Sequence, residues 1–215
     1  EQVSPHVHSG QLVMDITSIK AFPVEVMHRY IKAGAVLGAH PMFGPGASSL
    51  AGKNFILTPT SEEERELAGK VTEYLEDRGA GVRMMSPSEH DKMMAVILGL
   101  PHFIAMVSAD TLLSFENLGL TREISGSTYN LLLMLAESVI SENHELYASL
   151  QMRLPDMAEI ERQFQERVKV WTELVQNKDK QELIRKAGIL RDKLEVADPD
   201  FKKAYKNMYR VMEDL

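Results

Sequence analysis

The sequence predicts an α/β domain followed by an all-α domain, and the α/β part is expected to be the second half of a doubly wound parallel sheet. Up to residue 86, short runs that are apolar throughout alternate with a helical pattern, as in buried parallel strands joined by crossover helices. From Ser88 onward the apolar residues recur only at helical spacing. We therefore expect an α/β domain over residues 1–86 and a helical domain over residues 87–215, with the boundary near Ser86 and Pro87.

The elements of the α/β part follow from local signals. Ser61 is a typical helix N-cap, and the acidic residues after it suit the positive end of a helix dipole. A glycine at residue 79 is typical of a helix end. The expected elements are, in order, a strand at 11–17, a helix at 22–32, strands at 35–40 and 55–57, a helix from Ser61 to Gly79 and a strand at 82–85.

The helical part contains long amphipathic segments. Pro101 falls inside the first of them and is expected to kink it, because proline lacks the N–H that an inner helical turn needs. The expected helices lie at about 88–115, 121–142, 144–176, 180–196 and 199–213.

Composition excludes several classes of function. A formal net charge of −7, with basic residues interleaved among acids, argues against a nucleic-acid surface. The absence of cysteine excludes disulfides and thiol catalysis and fits a reducing cytoplasm. The histidines are not paired at metal-ligand spacing, so no metal is predicted. The longest apolar stretch, Ala95 to Met106, is too short for a membrane span, and no membrane role is predicted.

His40 is the main candidate for chemistry. It follows the apolar run Ala35-Val36-Leu37 and precedes Pro41, a pattern that places an imidazole at the carboxyl end of a strand. Open α/β sheets bind their ligands at that end. A structural histidine in a turn is the alternative.

Four segments are informative together: Asp15 to Lys20, Gly38 to Pro45, Ser88 to Asp91 and Gly99 to Phe103. In this order and at these separations, they resemble the prephenate dehydrogenase family over nearly the whole chain. The family oxidises prephenate or arogenate in tyrosine biosynthesis. The resemblance implies the C-terminal portion of a Rossmann-type nucleotide-binding domain, followed by an all-α domain that forms an intertwined homodimer.

The resemblance also implies roles for individual residues. His40 matches the histidine that contacts the ring hydroxyl of prephenate and acts as base, and Ser18 matches a serine that hydrogen-bonds both. His90 and His102 match a histidine near the domain junction and one that lines the substrate pocket, and Tyr147 matches an aromatic of the helical domain. The simpler alternatives are a helix N-cap for Ser18, a first-turn helix residue for His90 and a core histidine for His102.

The cofactor implied is NAD or NADP, yet a Gly-rich pyrophosphate fingerprint is not found. Gly79-Ala80-Gly81 is the only Gly-x-Gly in a plausible turn, and Met84 stands where the third glycine belongs. The family carries these glycines upstream of Asp15, so we expect roughly 80 further residues, two to three βα units, ahead of this chain. We therefore expect this chain alone to be an inactive fragment.

One position departs from the family pattern. Ser138 stands nine residues before Tyr147, where the family places an arginine that holds a substrate carboxylate. Arg122 or Arg29 would have to compensate. A non-catalytic dimerisation or regulatory module of the same fold is the alternative function, and arogenate is the alternative substrate.

The homodimer is expected to form through apolar stripes on the long helices. The stripes are long for a domain of about 130 residues and need a covering surface. They comprise Met157, Ile160, Phe164, Val168, Trp171 and Val175, followed by Leu183, Ala187, Leu190 and Leu194.

Overall fold

The computed structural model describes residues 2–44 and 46–213, which form two compact units. The first unit contains the described residues up to Gly99 together with Leu146–Met157. The second contains Leu100–Glu145 and the described residues from Ala158 onward. The first unit thus continues past Ser86 and Pro87, near which the sequence predicts the domain boundary.

The first unit is an α/β structure built around one four-stranded sheet. A short 3₁₀ turn at Ser4–His6 precedes the sheet, and a π-helical segment at Ala95–Gly99 follows the last helix of this part. The elements are β1 (Leu12–Asp15), α1 (Ala21–Tyr30), β2 (Ala35–Pro41), β3 (Asn54–Thr58), α2 (Glu62–Glu76), β4 (Gly81–Met84) and α3 (Pro87–Met94).

The sheet is mixed, which corrects the prediction of a parallel sheet. Its strand order is β1-β2-β3-β4, with β1 parallel to β2 and β3 parallel to β4. β2 and β3 run antiparallel. Parallel neighbours need a crossover connection, usually a helix, and the described residues between Pro41 and Asn54 contain none. The chain therefore turns back at this point, and only the two βαβ units on either side are parallel.

Successive side chains of β2 point to opposite faces of the sheet, and both faces are buried. Leu37 and Ala39 pack with Leu57 and with Ala68 of α2, forming the core of this unit. Gly38 lies on the opposite face, where a Cβ would come within 2.7 Å of a methyl carbon of Val24 in α1. His40 shares the face of Gly38, so it lies on the α1 side of the sheet.

The second unit is helical, as predicted, but its helices are shorter and more numerous than expected. The segment predicted as one helix at 144–176 divides at Pro155 and Asp156, where Asp156 adopts a φ of 61°. The elements are α4 (Leu100–Leu113), α5 (Leu118–Glu123), α6 (Ser127–Ser141), α7 (His144–Arg153), α8 (Met157–Gln176), α9 (Lys180–Ala197) and α10 (Ala204–Glu213), with α7 and α8 beginning or ending in the first unit and a 3₁₀ turn at Phe201–Lys203.

The chain is continuously helical from Pro87 to Leu113 and does not end at Pro101. Proline clashes with the carbonyl four residues earlier, and the wider π-helical turn at Ala95–Gly99 accommodates this clash. This helix is 27 residues long and contains an 18-residue window with a mean hydropathy of 1.7, so it is longer than the stretch considered from sequence and passes the length and composition test for a membrane span. That test alone is weak evidence, because core helices of soluble proteins pass it as well.

Candidate active site

His40 is the penultimate residue of β2 and is only 5% exposed. It pairs across the ladder with Ile56 of β3, and Pro41 ends the strand directly after it. The strand therefore fixes the backbone that carries the imidazole, while α1 and α3 enclose its face of the sheet.

A second histidine contacts His40 from α3. His40 Nδ1 lies 2.9 Å from His90 Nε2, and the two rings meet edge to face. His90 is fully buried. A capping box fixes the start of α3, with the Ser86 hydroxyl accepting from the Glu89 N–H and the Glu89 carboxylate accepting from the Ser86 N–H. The sequence places His90 in this first turn correctly, and the structure adds its contact with His40.

Asp91 continues the chain of contacts beyond His90. His90 Nδ1 lies 2.8 Å from Asp91 Oδ1. The same carboxylate accepts the backbone N–H groups of Lys20, at 2.7 Å, and Ala21, at 2.9 Å, where α1 begins. Burial alone would raise the pKa of Asp91, but the hydrogen bonds from His90, Ala21 and Lys20 outweigh it and lower the pKa. Asp91 is therefore an ionised carboxylate that caps α1 from another element.

Lys20 is a buried cation beside this cluster. Its side chain is fully buried and forms an ion pair with Asp15 at the end of β1. Asp15 also accepts the N–H of Thr17, so it stabilises the turn between β1 and α1. Burial lowers the pKa of Lys20 against the opposing effect of Asp15 and Asp91. Sequence reasoning missed Lys20 as a site residue, although a lysine beside the candidate Ser18 was the available signal.

The surroundings keep the His40 imidazole neutral. Burial is the largest cause, and the neighbouring His90 and Lys20 add to it, so that the pKa of His40 falls from 6.5 to about 4. Asp15 and Asp91 oppose this shift. A buried neutral imidazole at the carboxyl end of a strand can accept a proton at neutral pH, which is what a general base requires.

The structure brings together His40 and His90 but leaves the roles of Ser18, His102 and Tyr147 as predictions. Ser18 is half-buried in the turn before α1, and among the described residues its hydroxyl makes no hydrogen bond, so Asp91 and not Ser18 caps the helix. His102 lies on α4 in the second unit, where burial lowers its pKa. Tyr147 is half-buried on α7. Pro45, the last residue of the segment that begins at Gly38, lies outside the described residues.

The position that departs from the family pattern is a surface residue. Ser138 is exposed on α6 and donates its hydroxyl to the Leu135 carbonyl at 2.9 Å. Arg122 is exposed, and its Nη1 lies 3.5 Å from Oε1 of Glu137. Arg29 is exposed and pairs with Glu25. Both arginines considered as replacements are thus engaged with surface carboxylates.

A dinucleotide pyrophosphate does not fit the described residues. Gly79 adopts a φ of 79° in a turn that leads from α2 into β4, whereas a pyrophosphate cradle leads from a strand into a helix. At the start of α1, the N–H groups of Lys20 and Ala21 donate to Asp91 and are not available to a phosphate. No group of three or more potential metal ligands occurs within residues 2–44 and 46–213.

The α/β unit carries a buried histidine at a strand end, and a helical unit follows it along the chain. Residues 1–84 match the family model of the prephenate dehydrogenase nucleotide-binding domain, and residues 86–188 match that of the prephenate dehydrogenase dimerization domain. The chain therefore belongs to the prephenate dehydrogenase family. The resemblance inferred from sequence is confirmed.

Curated relatives agree with this assignment. A probable arogenate/prephenate dehydrogenase of Methanocaldococcus jannaschii is 36% identical over 189 residues, covering 86% of this chain and 42% of that protein. The T-protein of Haemophilus influenzae is 30% identical over 153 residues, covering 71% of this chain and 40% of that protein. The chain thus spans less than half the length of these relatives.

Among solved structures, prephenate dehydrogenase from A. aeolicus in complex with hydroxyphenyl propionate and NAD+ superposes with a TM-score of 0.73. It is 23% identical, and the match covers 92% of this chain and 71% of that one. A Synechocystis arogenate dehydrogenase superposes with a TM-score of 0.67 at 19% identity, covering 89% of this chain and 72% of that one. These likenesses show a common fold.

Proposed function

We propose that this chain carries the catalytic base and the dimerisation helices of an NAD(P)-dependent dehydrogenase that oxidises prephenate or arogenate. The observation that carries the proposal is the buried, neutral His40 at the carboxyl end of β2. His40 contacts His90, which in turn contacts Asp91. The names of the M. jannaschii and H. influenzae relatives support the substrate class.

His40 acts on the ring hydroxyl of the substrate. As the carbinol carbon loses a hydride, its oxygen must lose a proton, and the free ring nitrogen of His40 accepts that proton. The ring carboxylate leaves as carbon dioxide, the electron pair of the broken C–C bond completes the aromatic ring, and the oxygen takes its proton back from His40, so that prephenate becomes 4-hydroxyphenylpyruvate. A nicotinamide supplies the hydride acceptor when bound, and the role of His40 is to bind the hydroxyl and hold its proton.

The substrate carboxylate that the family arginine holds needs a different partner in this chain. Ser138 carries no charge, and loss of a buried charge pair costs about 2–5 kcal/mol of binding. This supports a weaker or altered recognition of the substrate, and it leaves prephenate and arogenate as equal candidates. A non-catalytic module of the same fold is the second candidate, and it is favoured by the same exposed Ser138.

The same proposal includes a cytoplasmic homodimer. The match of residues 86–188 to a dimerization domain supports it, as do large apolar side chains that remain exposed on the long helices. Those side chains include Val168, Val175, Ile184, Leu190 and Leu194. Packing of this apolar surface against a second copy of the chain would remove it from water and so favour the dimer.

The proposal is tested by assaying the complete protein with prephenate and with arogenate, each with NAD+ and with NADP+. We expect reduction of a nicotinamide with at least one pair, with release of carbon dioxide. A homodimer that reduces neither cofactor with either substrate would overturn the dehydrogenase and favour the non-catalytic module. For this 215-residue chain alone we expect no turnover, and calorimetry that gives a micromolar dissociation constant for NAD+ would contradict that expectation.

A further inference from the structure

We propose that Asp91 is a positioning residue that sets the tautomer of His40 through His90, so that Nε2 of His40 carries the free electron pair. This inference rests on the proposed function, in which His40 is the base. Asp91 itself need not touch the substrate. Its effect passes along two hydrogen bonds, Asp91 to His90 and His90 to His40.

The first step is the proton on His90. An ionised carboxylate only accepts hydrogen bonds, so the ring nitrogen 2.8 Å from Asp91 Oδ1 must donate. That nitrogen is Nδ1 of His90. A neutral imidazole that carries its proton on Nδ1 presents an acceptor at Nε2.

The second step transfers this choice to His40. The acceptor Nε2 of His90 lies 2.9 Å from Nδ1 of His40, so Nδ1 of His40 must donate. In a neutral imidazole the other nitrogen is then without a proton. Nε2 of His40 is therefore held as an acceptor, which is the state that a base needs at the start of the reaction.

The third step is the anchoring of Asp91 itself. Its carboxylate accepts three N–H groups, from His90 Nδ1, the backbone of Lys20 and the backbone of Ala21. The latter two belong to the start of α1, whose dipole favours a negative charge there. Asp91 is thus fixed by a helix that the chemistry does not use directly, and α1 and α3 together determine which nitrogen of His40 is free.

An Asp91→Asn variant tests this arrangement, because an amide has one acceptor oxygen and one NH₂ group. Both oxygens of Asp91 accept N–H groups, Oδ1 from His90 and Lys20 and Oδ2 from Ala21. The NH₂ group of asparagine therefore faces an N–H donor in either orientation of the amide. When it faces His90, the conflict is relieved if the His90 proton moves to Nε2, which in turn places the His40 proton on Nε2. Part of the population then has no free Nε2, and the carboxylate that favours the original state is lost.

Nitrogen-15 NMR of the histidine rings in the complete protein reports the tautomers without any need for turnover. In the wild type we expect a protonated Nδ1 and an unprotonated Nε2 for both His40 and His90. In Asp91→Asn we expect both rings to shift toward the other tautomer. The control is Asp77→Asn, which removes the same charge at an exposed position after α2 and should leave both rings unchanged.

Kinetics separate a positioning role from a purely structural one. We expect Asp91→Asn to lower kcat at least about tenfold while KM changes little, because the substrate contacts are kept. The pH profile of kcat/KM should change as well, since His90, Lys20, Asp15 and Asp91 are the charged or titratable groups that act on His40. A second variant, His90→Gln, can accept from His40 and donate to Asp91, so it should retain more activity than His90→Leu.

The inference is overturned if wild-type His40 carries its proton on Nε2, if His90 is protonated on both nitrogens, or if Asp91→Asn leaves both tautomers and kcat unchanged. A wild-type protein without dehydrogenase activity would instead overturn the proposed function, and the NMR result would still decide the tautomer.

Discussion

His40 is buried and yet keeps a basic ring nitrogen, although burial of a polar group is normally unfavourable. The neighbours resolve this conflict, because His90 satisfies Nδ1 while burial keeps the ring uncharged, with a pKa of about 4. The sequence predicts His40 from its place after an apolar run, since this pattern is local. It does not predict the contact with His90, 50 positions away, because that contact depends on how α3 returns across the sheet.

The lowered pKa of His40 has a consequence for stability. The pKa is 6.5 in the unfolded chain and about 4 in the folded one, so between these values the unfolded state binds more protons. Acid therefore favours unfolding in this window, and the effect is absent above pH 6.5. We expect His40 to reduce the free energy of unfolding by about 1–3 kcal/mol between pH 6.5 and pH 4.

Chemical denaturation at a series of pH values measures this effect, with His40→Asn as the control because asparagine does not titrate. The wild type should lose more stability than the variant as the pH falls. Parallel curves for the two proteins would contradict the lowered pKa.

At the scale of elements, the close approach of α1 to β2 positions the site. Gly38 permits this approach, because a Cβ there would lie 2.7 Å from Val24 Cγ2 of α1, and it would also clash with Thr58 Oγ1 of β3. The sequence predicts most strands and helices of this unit, because their apolar runs and caps are local signals. The antiparallel pairing of β2 with β3 was missed, since hydrophobicity alone does not give strand direction.

Replacing Gly38 tests the role of this contact. Gly38→Ala should lower the free energy of unfolding by about 1–3 kcal/mol, because Val24 and Thr58 must shift. Gly69→Ala is the matched control, since it lies in α2 with no atom within 4 Å of the added Cβ and should stabilise the helix by about 0.5–1 kcal/mol. Thermal unfolding compares the two, and equal melting temperatures would show that neither Val24 of α1 nor Thr58 of β3 crowds this position.

At the scale of the whole molecule, the helical unit leaves many large apolar side chains exposed. Phe164 packs edge to face on Phe103, and Trp171 is half-buried, so part of the predicted stripe is a core within the unit. Val175 is 65% exposed and Ile184 58% exposed. The sequence pattern predicts the amphipathic helices but does not separate residues that pack within the chain from those that face a partner.

Sedimentation tests the proposed homodimer. We expect a mass of twice 24.2 kDa for this chain at tens of micromolar, and Val175→Glu should shift the equilibrium toward monomer because it buries a charge. Gln163→Glu adds the same charge at an exposed position of α8 outside the apolar stripe and should leave the dimer intact. A wild-type monomer would contradict the proposed assembly.

The most direct test of the central claim is the turnover of the complete protein with His40→Asn, compared with the wild type from pH 5 to pH 9. Asparagine can donate a hydrogen bond to the substrate hydroxyl but cannot take its proton at neutral pH. We expect turnover to fall at least about a hundredfold with a much smaller change in KM, because a general base typically contributes 10²- to 10⁴-fold. The wild-type rate should stay level down to the lower end of this range, because burial lowers the pKa of His40 from the ordinary 6.5 to about 4. Equal turnover of wild type and variant across the range would contradict the account and make His40 a structural residue.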